Sequence, residues 1–151
     1  PRSSKFFAKI NNLKICDYQI WKKTIGFALD SPQSHNPNFT SDVYFSFQHS
    51  ILLPGDLPGS RENRISENYL RKTRILILSH HGSSTSTSKK MLLRMPQLKF
   101  AVASARFAKY HHPSSKTKAL LGALRIPLLL TEDWGHIHFV KNSQSPTESS
   151  Q

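Results

Sequence analysis

The amino-acid sequence predicts a mixed α/β fold, in the α+β or mixed α/β class. Its first part contains short apolar runs with loose alternation, which is typical of strands. From residue 60 onwards, short apolar runs alternate with polar segments of helical spacing. Apolar residues make up only 37% of the 151 residues, but their clustering in runs favours a folded sheet protein over disorder. Together these observations predict a layered α/β fold in one domain or part of one, long enough for a core.

The first part of the chain is expected to be mostly β. Loose alternation predicts three strands, over 5–10, 13–20 and 24–29. Residues 31–40, which include two prolines, are expected to form a loop. A strand pair or one bent strand is then expected over 43–47 and 50–53, closed by the turn residues 54–56.

The second part of the chain is expected to alternate strands with helices. Short apolar runs predict four strands, over 75–78, 100–105, 126–130 and 137–140. Polar segments predict three helices, over 60–72, 89–94 and 115–124. The second helix is expected to begin after Ser88 as its N-cap, and the third after Ser114 or Ser115. The tail from residue 142 is rich in Ser, Gln, Pro and Thr, so we expect it to be disordered.

Two adjacent histidines follow the buried strand predicted at 75–78. His80 and His81 precede Gly82, which permits a sharp turn, and Ser83, whose hydroxyl could help to hold a phosphate. Side chains beyond the carboxyl ends of strands are where α/β proteins collect their chemistry. Because adjacent residues of a strand point to opposite faces, we expect only one of the two histidines to reach a shared site.

Two further strand ends carry possible metal ligands. Asp56 follows an apolar strand and a tight glycine turn, so its carboxylate could bind or bridge a hard metal ion. The alternative is an aspartate that caps the following helix or stabilises its turn. His112 lies with His111 and Pro113 after the strand predicted at 100–105, where a solvent loop is the alternative. The recurrence of such residues after successive strands predicts a hydrolytic metal site.

The charge balance points to a polyanionic partner. Lys and Arg number 21 against nine acidic residues, which gives a formal net charge of +12. This excess favours nucleic acid first and an anionic membrane surface second, with a merely soluble basic surface as the simpler alternative. Several basic residues flank the histidine segments, where they could engage phosphates or form a solvated helix face. These residues are Lys89, Lys90, Arg94, Lys109, Lys116 and Lys118.

Cysteine usage excludes two kinds of site, and the hydropathy pattern predicts no membrane span within these residues. Cys16 is the only cysteine, which excludes an internal disulfide and a zinc site built from cysteines. No apolar run approaches the roughly 20 residues that a membrane span requires. The chain begins at Pro1 without an initiator Met or a signal-peptide pattern, and we expect it to be part of a longer protein.

The order of five segments resembles that of metallo-β-lactamase-like domains, in particular the C-terminal domain of ComEC-type competence proteins, which are DNA-uptake channels. The segments are Leu-Leu-Pro-Gly-Asp at 52–56, Ile-Leu-Ile-Leu-Ser-His-His-Gly-Ser-Ser at 75–84, Phe-Ala-Val-Ala-Ser at 100–104, Tyr-His-His-Pro at 110–113 and Leu-Thr-Glu-Asp-Trp-Gly-His-Ile at 130–137. The resemblance covers about 38–139 of a partial domain that we place at 1–141. The family's first metal motif, His-x-Asp/His-x-Asp-His, is absent from residues 1–55.

The resemblance implies a fold and a site. The fold would be the C-terminal part of an αββα sandwich of two mixed sheets. Asp56 would be a bridging metal carboxylate, and His81 would be the metal-ligating member of the histidine pair, with His80 as the alternative. The implied active-site residues are His80, His81, Ser83 and His112. The implied ions are Mn²⁺ or Zn²⁺, one or two in a complete domain.

The resemblance also implies a function. The chain would be part of a metal-dependent DNA nuclease, a phosphodiesterase that acts on single-stranded or duplex DNA and degrades the strand that is not imported. Its parent would be a membrane-embedded bacterial protein that carries this domain on the extracytoplasmic side. Because the first metal motif is missing, we expect feeble or no metal binding and no turnover from this chain alone.

Two other functions stay open at this point. One is a non-catalytic basic module that binds nucleic acid and has a degenerate metal site. The other is a small-molecule hydrolase of the metallo-β-lactamase superfamily, acting on an ester or a lactam. The net charge of +12 fits a polyanionic substrate better than a small neutral one.

Overall fold

The computed structural model describes residues 41–137 together with Asn38 and Phe139, and it describes the backbone of Trp21–Ile25. Some of the sequence-based predictions therefore lie outside the described residues: the strands at 5–10 and 13–20, most of the loop at 31–40, Cys16 and the tail from 142. Among the helices that are described, none is long and apolar enough to cross a membrane.

In the described part of the chain, six strands form one sheet in sequence order. They are Trp21–Ile25 (β1), Val43–Ser46 (β2), Ile51–Leu53 (β3), Ile75–Ile77 (β4), Phe100–Ala103 (β5) and Leu128–Leu130 (β6). Strands β1 to β3 pair antiparallel, and β3 to β6 pair parallel. The structure thus confirms the predicted mixed α/β class, whereas the second sheet of a sandwich stays a prediction.

Five α-helices and two 3₁₀ helices occur among the described residues. The α-helices are Glu67–Lys72 (α1), Lys89–Leu93 (α2), Phe107–Tyr110 (α3), Ser115–Ala123 (α4) and Thr131–Trp134 (α5). The 3₁₀ helices span Gly59–Arg64 and Ser79–Gly82. Strands β4 to β6 therefore alternate with helices, as the sequence pattern predicts.

The predicted N-caps of two helices are confirmed. The Ser88 hydroxyl accepts a hydrogen bond from the Met91 N–H at 3.2 Å, at the start of α2. The Ser114 hydroxyl accepts one from the Thr117 N–H at 3.2 Å, at the start of α4. Each bond satisfies an amide that has no partner within the first turn of its helix, which is why serine at these positions sets the boundary.

The segment 60–72, predicted as one helix, forms two helices with a break between them. The chain forms the 3₁₀ helix Gly59–Arg64, leaves helical geometry at Ile65 with φ −68° and ψ 124°, and resumes in α1. The Ile65 side chain is only 1% exposed, so the break directs an apolar residue into the core. Tertiary burial overrides local helical spacing here.

The strands from β2 to β6 match their predicted positions but are shorter. Strand β1, Trp21–Ile25, begins before the strand predicted at 24–29, and residues 26–29 of that prediction lie outside the described residues. The predicted strand 75–78 ends at Ile77, although the Leu78 N–H still donates to the Val102 carbonyl at 2.8 Å. The segments 43–47 and 50–53 form an antiparallel pair rather than one bent strand. The strand predicted at 137–140 lies partly outside the described residues.

A single apolar core joins the sheet to the helices. Phe45, Leu52 and Leu76 come from adjacent strands and are almost fully buried, as are Leu70 of α1 and Met91 of α2. Burying such a side chain contributes roughly 1.5–3 kcal/mol. Because β3, β4 and β5 run parallel, the segments that follow them emerge at the same edge of this packed sheet. The predicted site residues all lie in those segments.

Candidate functional site

The turn after β3 carries Asp56. Gly55 has φ +59°, and a Cβ there would lie 3.1 Å from the Asp42 carbonyl oxygen, so the turn needs glycine. The Asp56 N–H donates to the Ser41 hydroxyl at 2.9 Å, which fixes the backbone that presents the carboxylate. The following 3₁₀ helix begins after Pro58 without a side-chain cap. Asp56 is therefore not a helix cap, and stabilisation of its own turn stays the alternative to a metal ligand.

The turn after β4 holds both histidines of the pair in the left-handed region. His80 has φ 47° and ψ 45°, and His81 has φ 57° and ψ 17°. For residues other than glycine this conformation costs roughly 1–2 kcal/mol each, and such strain persists only where the surroundings enforce it. The His80 N–H donates to the Gly55 carbonyl at 3.0 Å, and the buried Ser79 hydroxyl donates to the Leu57 carbonyl at 2.6 Å. These bonds tie the histidine turn to the Asp56 turn.

The prediction that the two histidines point to opposite faces assumed that they extend the strand. That assumption is wrong, because the strand ends at Ile77 and both residues lie in a 3₁₀ turn. Their ring centroids are 6.4 Å apart, and both rings act electrostatically on His112. Strand alternation does not apply to a turn, so both imidazoles lie close to one site.

The tautomer of His81 follows from its hydrogen bond. Its Nδ1 atom lies 2.6 Å from the Ser104 carbonyl oxygen. A carbonyl oxygen can only accept, so Nδ1 must carry the hydrogen, and the Nε2 of a neutral ring keeps its lone pair. This arrangement is typical of histidines that bind a metal or accept a proton through Nε2.

The third histidine, His112, packs beside the pair. Its ring centroid lies 5.9 Å from that of His80. Its Nδ1 atom is buried and has no hydrogen-bond partner among the described residues. Desolvation by burial lowers the pKa of His112, and the neighbouring His80, His81 and His111 lower it further. The ring is therefore held in the neutral form, in which a nitrogen can act as a ligand.

Gly82 brings the two histidine segments into contact. It has φ +86°, and a Cβ there would lie 2.5 Å from the Pro113 Cβ, closer than packed atoms approach. The Ser114 N–H donates to the Gly82 carbonyl at 2.9 Å and fixes the same contact. The Gly after the histidine pair is thus required for the approach of the His112 segment as well as for the turn.

Whether these residues fit the implied metal centre depends on how many donors converge. Two imidazoles that bind one ion at about 2.1 Å have ring centres about 5 to 6 Å apart, which agrees with the 5.9 Å between His80 and His112. In the part of the chain that the structure describes, however, no group of three His, Cys, Asp or Glu side chains could hold an ion. The donors are of the right kind, but the set is incomplete, and the assignment of Asp56 and His81 as ligands stays a prediction.

Ser83 belongs to a hydroxyl-rich segment beside the histidines. Its side chain is only 7% exposed, and its Oγ lies 3.1 Å from the Thr85 Oγ1. Its carbonyl accepts a hydrogen bond from the Thr117 hydroxyl at 3.2 Å. Ser83 therefore links the histidine turn to α4, and it is less open to a ligand than its neighbours Ser84 and Thr85, which are exposed.

Glu62 anchors this segment, and nothing in its local sequence predicts that role. The side chain is only 2% exposed. Its carboxylate accepts hydrogen bonds from the Thr87 N–H at 2.5 Å, the Ser88 N–H at 3.0 Å and the Ser88 hydroxyl at 2.5 Å. Partners 25 and 26 residues away leave no periodic signal, so only the folded chain shows the contact.

The predicted basic residues divide into two groups. Arg94 is engaged structurally, because its Nε donates to the Glu67 carboxylate at 2.7 Å and its Nη2 to the Ile65 carbonyl at 3.2 Å. Lys89 and Lys116 are exposed and line a cleft of about 620 Å³ together with the hydroxyl-rich segment, where the Lys116 Nζ donates to the Ser84 carbonyl at 3.2 Å. That cleft combines positive charge with hydroxyl donors, which is the chemistry that phosphate groups require.

Comparisons with known proteins give weak but consistent similarity. No family model matches the chain, and no solved structure does. ComE operon protein 3 of Bacillus subtilis is 29% identical over 123 residues, which are 78% of this chain and 16% of that protein. Competence protein ComA of Neisseria gonorrhoeae is 33% identical over 93 residues, which are 60% of this chain and 13% of that protein.

A third relative is the uncharacterized protein YcaI of Escherichia coli, 37% identical over 73 residues, or 46% of this chain and 10% of that protein. The chain thus spans 10 to 16% of the length of these relatives. By these matches the chain is similar in sequence to a small part of bacterial competence proteins.

Proposed function

We propose that the chain is part of a metal-dependent DNA phosphodiesterase in a competence protein of the DNA-uptake type, and that it degrades the strand that is not imported. The observation that carries the proposal is the convergence of His80, His81 and His112 at one edge of the sheet. The similarity to two competence proteins and the resemblance of the motif order support it.

The hydrogen bonding and burial of two histidines support the proposal. The His81 Nδ1–H donates to the Ser104 carbonyl, so the neutral His81 ring has its lone pair at Nε2. Burial and neighbouring charge lower the pKa of His112 and favour its neutral ring. Neutral imidazoles can bind Mn²⁺ or Zn²⁺ or accept a proton, whereas imidazolium can do neither. Since the described donors are incomplete, a complete centre would need ligands from outside the described residues.

The surface around the histidines suits a phosphodiester substrate. Lys89 and Lys116 line the neighbouring cleft, and the whole chain carries a net charge of +12. Such a surface attracts a nucleic acid electrostatically and gives binding that weakens as salt rises. A small neutral ester or lactam would gain nothing from it, so the observations favour the nuclease over the small-molecule hydrolase.

The test is DNA cleavage by the full-length protein with Mn²⁺ or Zn²⁺ added. We expect His81→Ala and Asp56→Ala to lower the rate by about 100-fold, since loss of a ligand or of its support weakens such sites strongly. His49→Ala and Asp133→Ala are matched controls outside the site, and they should cleave at the wild-type rate. Cleavage that is unchanged in the site variants, or that persists in a chelator, would contradict the proposal.

The incomplete donor set favours one alternative, a basic module that binds nucleic acid without cutting it. In that case the full-length protein binds DNA in a salt-sensitive way, and the binding survives both Asp56→Ala and His81→Ala. The absence of cleavage under every metal condition, together with this binding, would replace the nuclease by the binding module.

A further inference from the structure

An exposed aromatic pair lies next to the His112 segment. Phe107 and Tyr110 begin and end α3, a short helix that the sequence pattern does not predict. Their side chains are 42% and 56% exposed. Single exposed aromatics are common, but a folded domain usually covers or uses two exposed rings within one helical turn.

A lysine ammonium group lies over each of these two rings. The Lys118 Nζ lies 4.2 Å from the centre of the Phe107 ring, and the Lys109 Nζ lies 5.0 Å from the centre of the Tyr110 ring. Residues 104–118 contain no Asp or Glu. The Glu132 carboxylate accepts a hydrogen bond from the Phe107 N–H at 2.7 Å and so holds the start of α3. The patch is thus aromatic and basic at once.

The patch is continuous with the histidine site. The ring centroids of Phe107 and His111 are 5.8 Å apart, and His111 is the residue before His112. His112 in turn packs against His80. A chain molecule that lies on the aromatic pair would therefore reach the histidines within the next one or two of its units.

We propose that Phe107 and Tyr110 form a stacking platform for the bases of a single-stranded nucleic acid, with Lys109 and Lys118 contacting its phosphates. This inference rests on the proposed function, because it assigns the site a strand to act on. Aromatic rings stack on any base, whereas cations follow the backbone, and proteins that bind single strands combine the two. A duplex hides its base faces, so the platform favours unpaired DNA.

The experiment measures binding of short labelled oligonucleotides to the 151-residue chain by fluorescence anisotropy, in a chelator so that no cleavage occurs. The oligonucleotides are a single strand, an abasic strand of equal length and a duplex. We expect the normal strand to bind about 10-fold or more tightly than the abasic strand, since stacking contributes roughly 5- to 150-fold per base and the platform has two rings. We expect the duplex to bind less tightly than the single strand as well.

The Phe107→Leu/Tyr110→Leu variant keeps apolar bulk and charge but loses both rings. It should bind the normal strand no better than the abasic one, with its abasic affinity unchanged. Phe47→Leu is the matched control, because Phe47 is also 48% exposed but packs against Phe45 and Tyr69 elsewhere. It should bind like wild type. If the double variant unfolds, Tyr110→Leu alone provides the same comparison at the more exposed ring.

The platform would be wrong if wild type bound normal and abasic strands with equal affinity, or if the ring variants bound the normal strand as tightly as wild type. It would also be wrong if loss of the rings weakened binding to anionic lipid vesicles but left DNA binding unchanged. These outcomes differ from failure of the proposed function. If the full-length protein never cleaves DNA but this chain still prefers normal over abasic strands, the nuclease is wrong and the platform stands.

Discussion

The Nδ1 atom of His81 lies 2.6 Å from the carbonyl oxygen of Ser104, so a side-chain hydrogen bond of His81 joins the segment after β4 to the segment after β5. The bond has two consequences. It sets the tautomer of His81, and it holds a left-handed turn beside the chain that leads to His112. Structural support and chemical function are therefore combined in one imidazole, and substitutions can separate them.

His81→Asn separates the two roles, because the asparagine amide N–H can replace Nδ1–H towards Ser104 but nothing replaces Nε2. We expect the free energy of unfolding of His81→Asn to stay within about 0.5 kcal/mol of wild type, and His81→Ala to lose about 1 kcal/mol with the hydrogen bond. Both should lower the rate of cleavage by the full-length protein by about 100-fold. Urea unfolding and DNA cleavage measure the two effects. Full cleavage by His81→Asn would show that Nε2 has no chemical role.

Gly82→Ala tests the contact between the two histidine segments. The added Cβ would meet the Pro113 Cβ at 2.5 Å, and φ is +86°. Overpacking and left-handed strain together should lower the free energy of unfolding by about 2–4 kcal/mol. Denaturant unfolding measures the loss.

The matched control is Gly122→Ala, because a Cβ at Gly122 has no neighbour within 4 Å and the residue lies inside α4. Alanine there should raise stability by roughly 0.5–1 kcal/mol through its helix propensity. Equal effects at the two glycines would mean that the Gly82–Pro113 contact does not constrain the chain.

Glu62→Gln tests the anchor of the hydroxyl-rich segment. The carboxylate accepts three hydrogen bonds from Thr87 and Ser88 while nearly fully buried. Glutamine keeps one acceptor oxygen and turns an amide donor towards the other donors, so we expect a loss of about 2–3 kcal/mol. Thermal or denaturant unfolding measures it.

Glu67→Gln is the control for the change of charge. Glu67 forms an ion pair with Arg94 at 2.7 Å, and the Glu67 side chain is 49% exposed. Such a pair contributes about 0–1 kcal/mol. If Glu62→Gln is no less stable than Glu67→Gln, the Glu62 carboxylate does not anchor the hydroxyl-rich segment.

How much of the fold could be predicted depended on the range of the interactions involved. The caps at Ser88 and Ser114 depend on hydrogen bonds within one turn, so sequence alone placed them. The break at Ile65 depends on burial against the distant sheet, and local spacing missed it. Helix α3 escaped prediction because four residues carry too little periodic signal.

The candidate site shows the same division. Residue types and their places after successive strands were enough to select Asp56, His80, His81 and His112. The left-handed turn that brings both members of the pair to one side was not predictable, because the Gly55 and Leu57 carbonyls impose it from another segment. Long-range hydrogen bonds of this kind have no signature in the order of residues.

The lowered pKa of His112 predicts how stability changes with pH. Burial, and then the charges of His80, His81 and His111, lower its pKa below the ordinary value of 6.5 in the folded protein. Near pH 6.5 the His112 ring therefore binds a proton in the unfolded chain but not in the folded one. Because of this difference, the free energy of unfolding falls as the pH drops below about 6.5. The fall ends once the folded ring is protonated too, and above pH 6.5 the effect of this group is absent.

His112→Asn should remove part of this loss of stability at acidic pH, because asparagine does not titrate and so binds no proton in either the folded or the unfolded state. Urea unfolding of the metal-free chain at a series of pH values from neutral to mildly acidic measures the difference between wild type and the variant. The two curves of unfolding free energy against pH should run parallel at neutral pH, and the wild-type curve should descend more steeply below about pH 6.5. An NMR titration of the His112 ring with a midpoint at or above 6.5 would contradict the prediction.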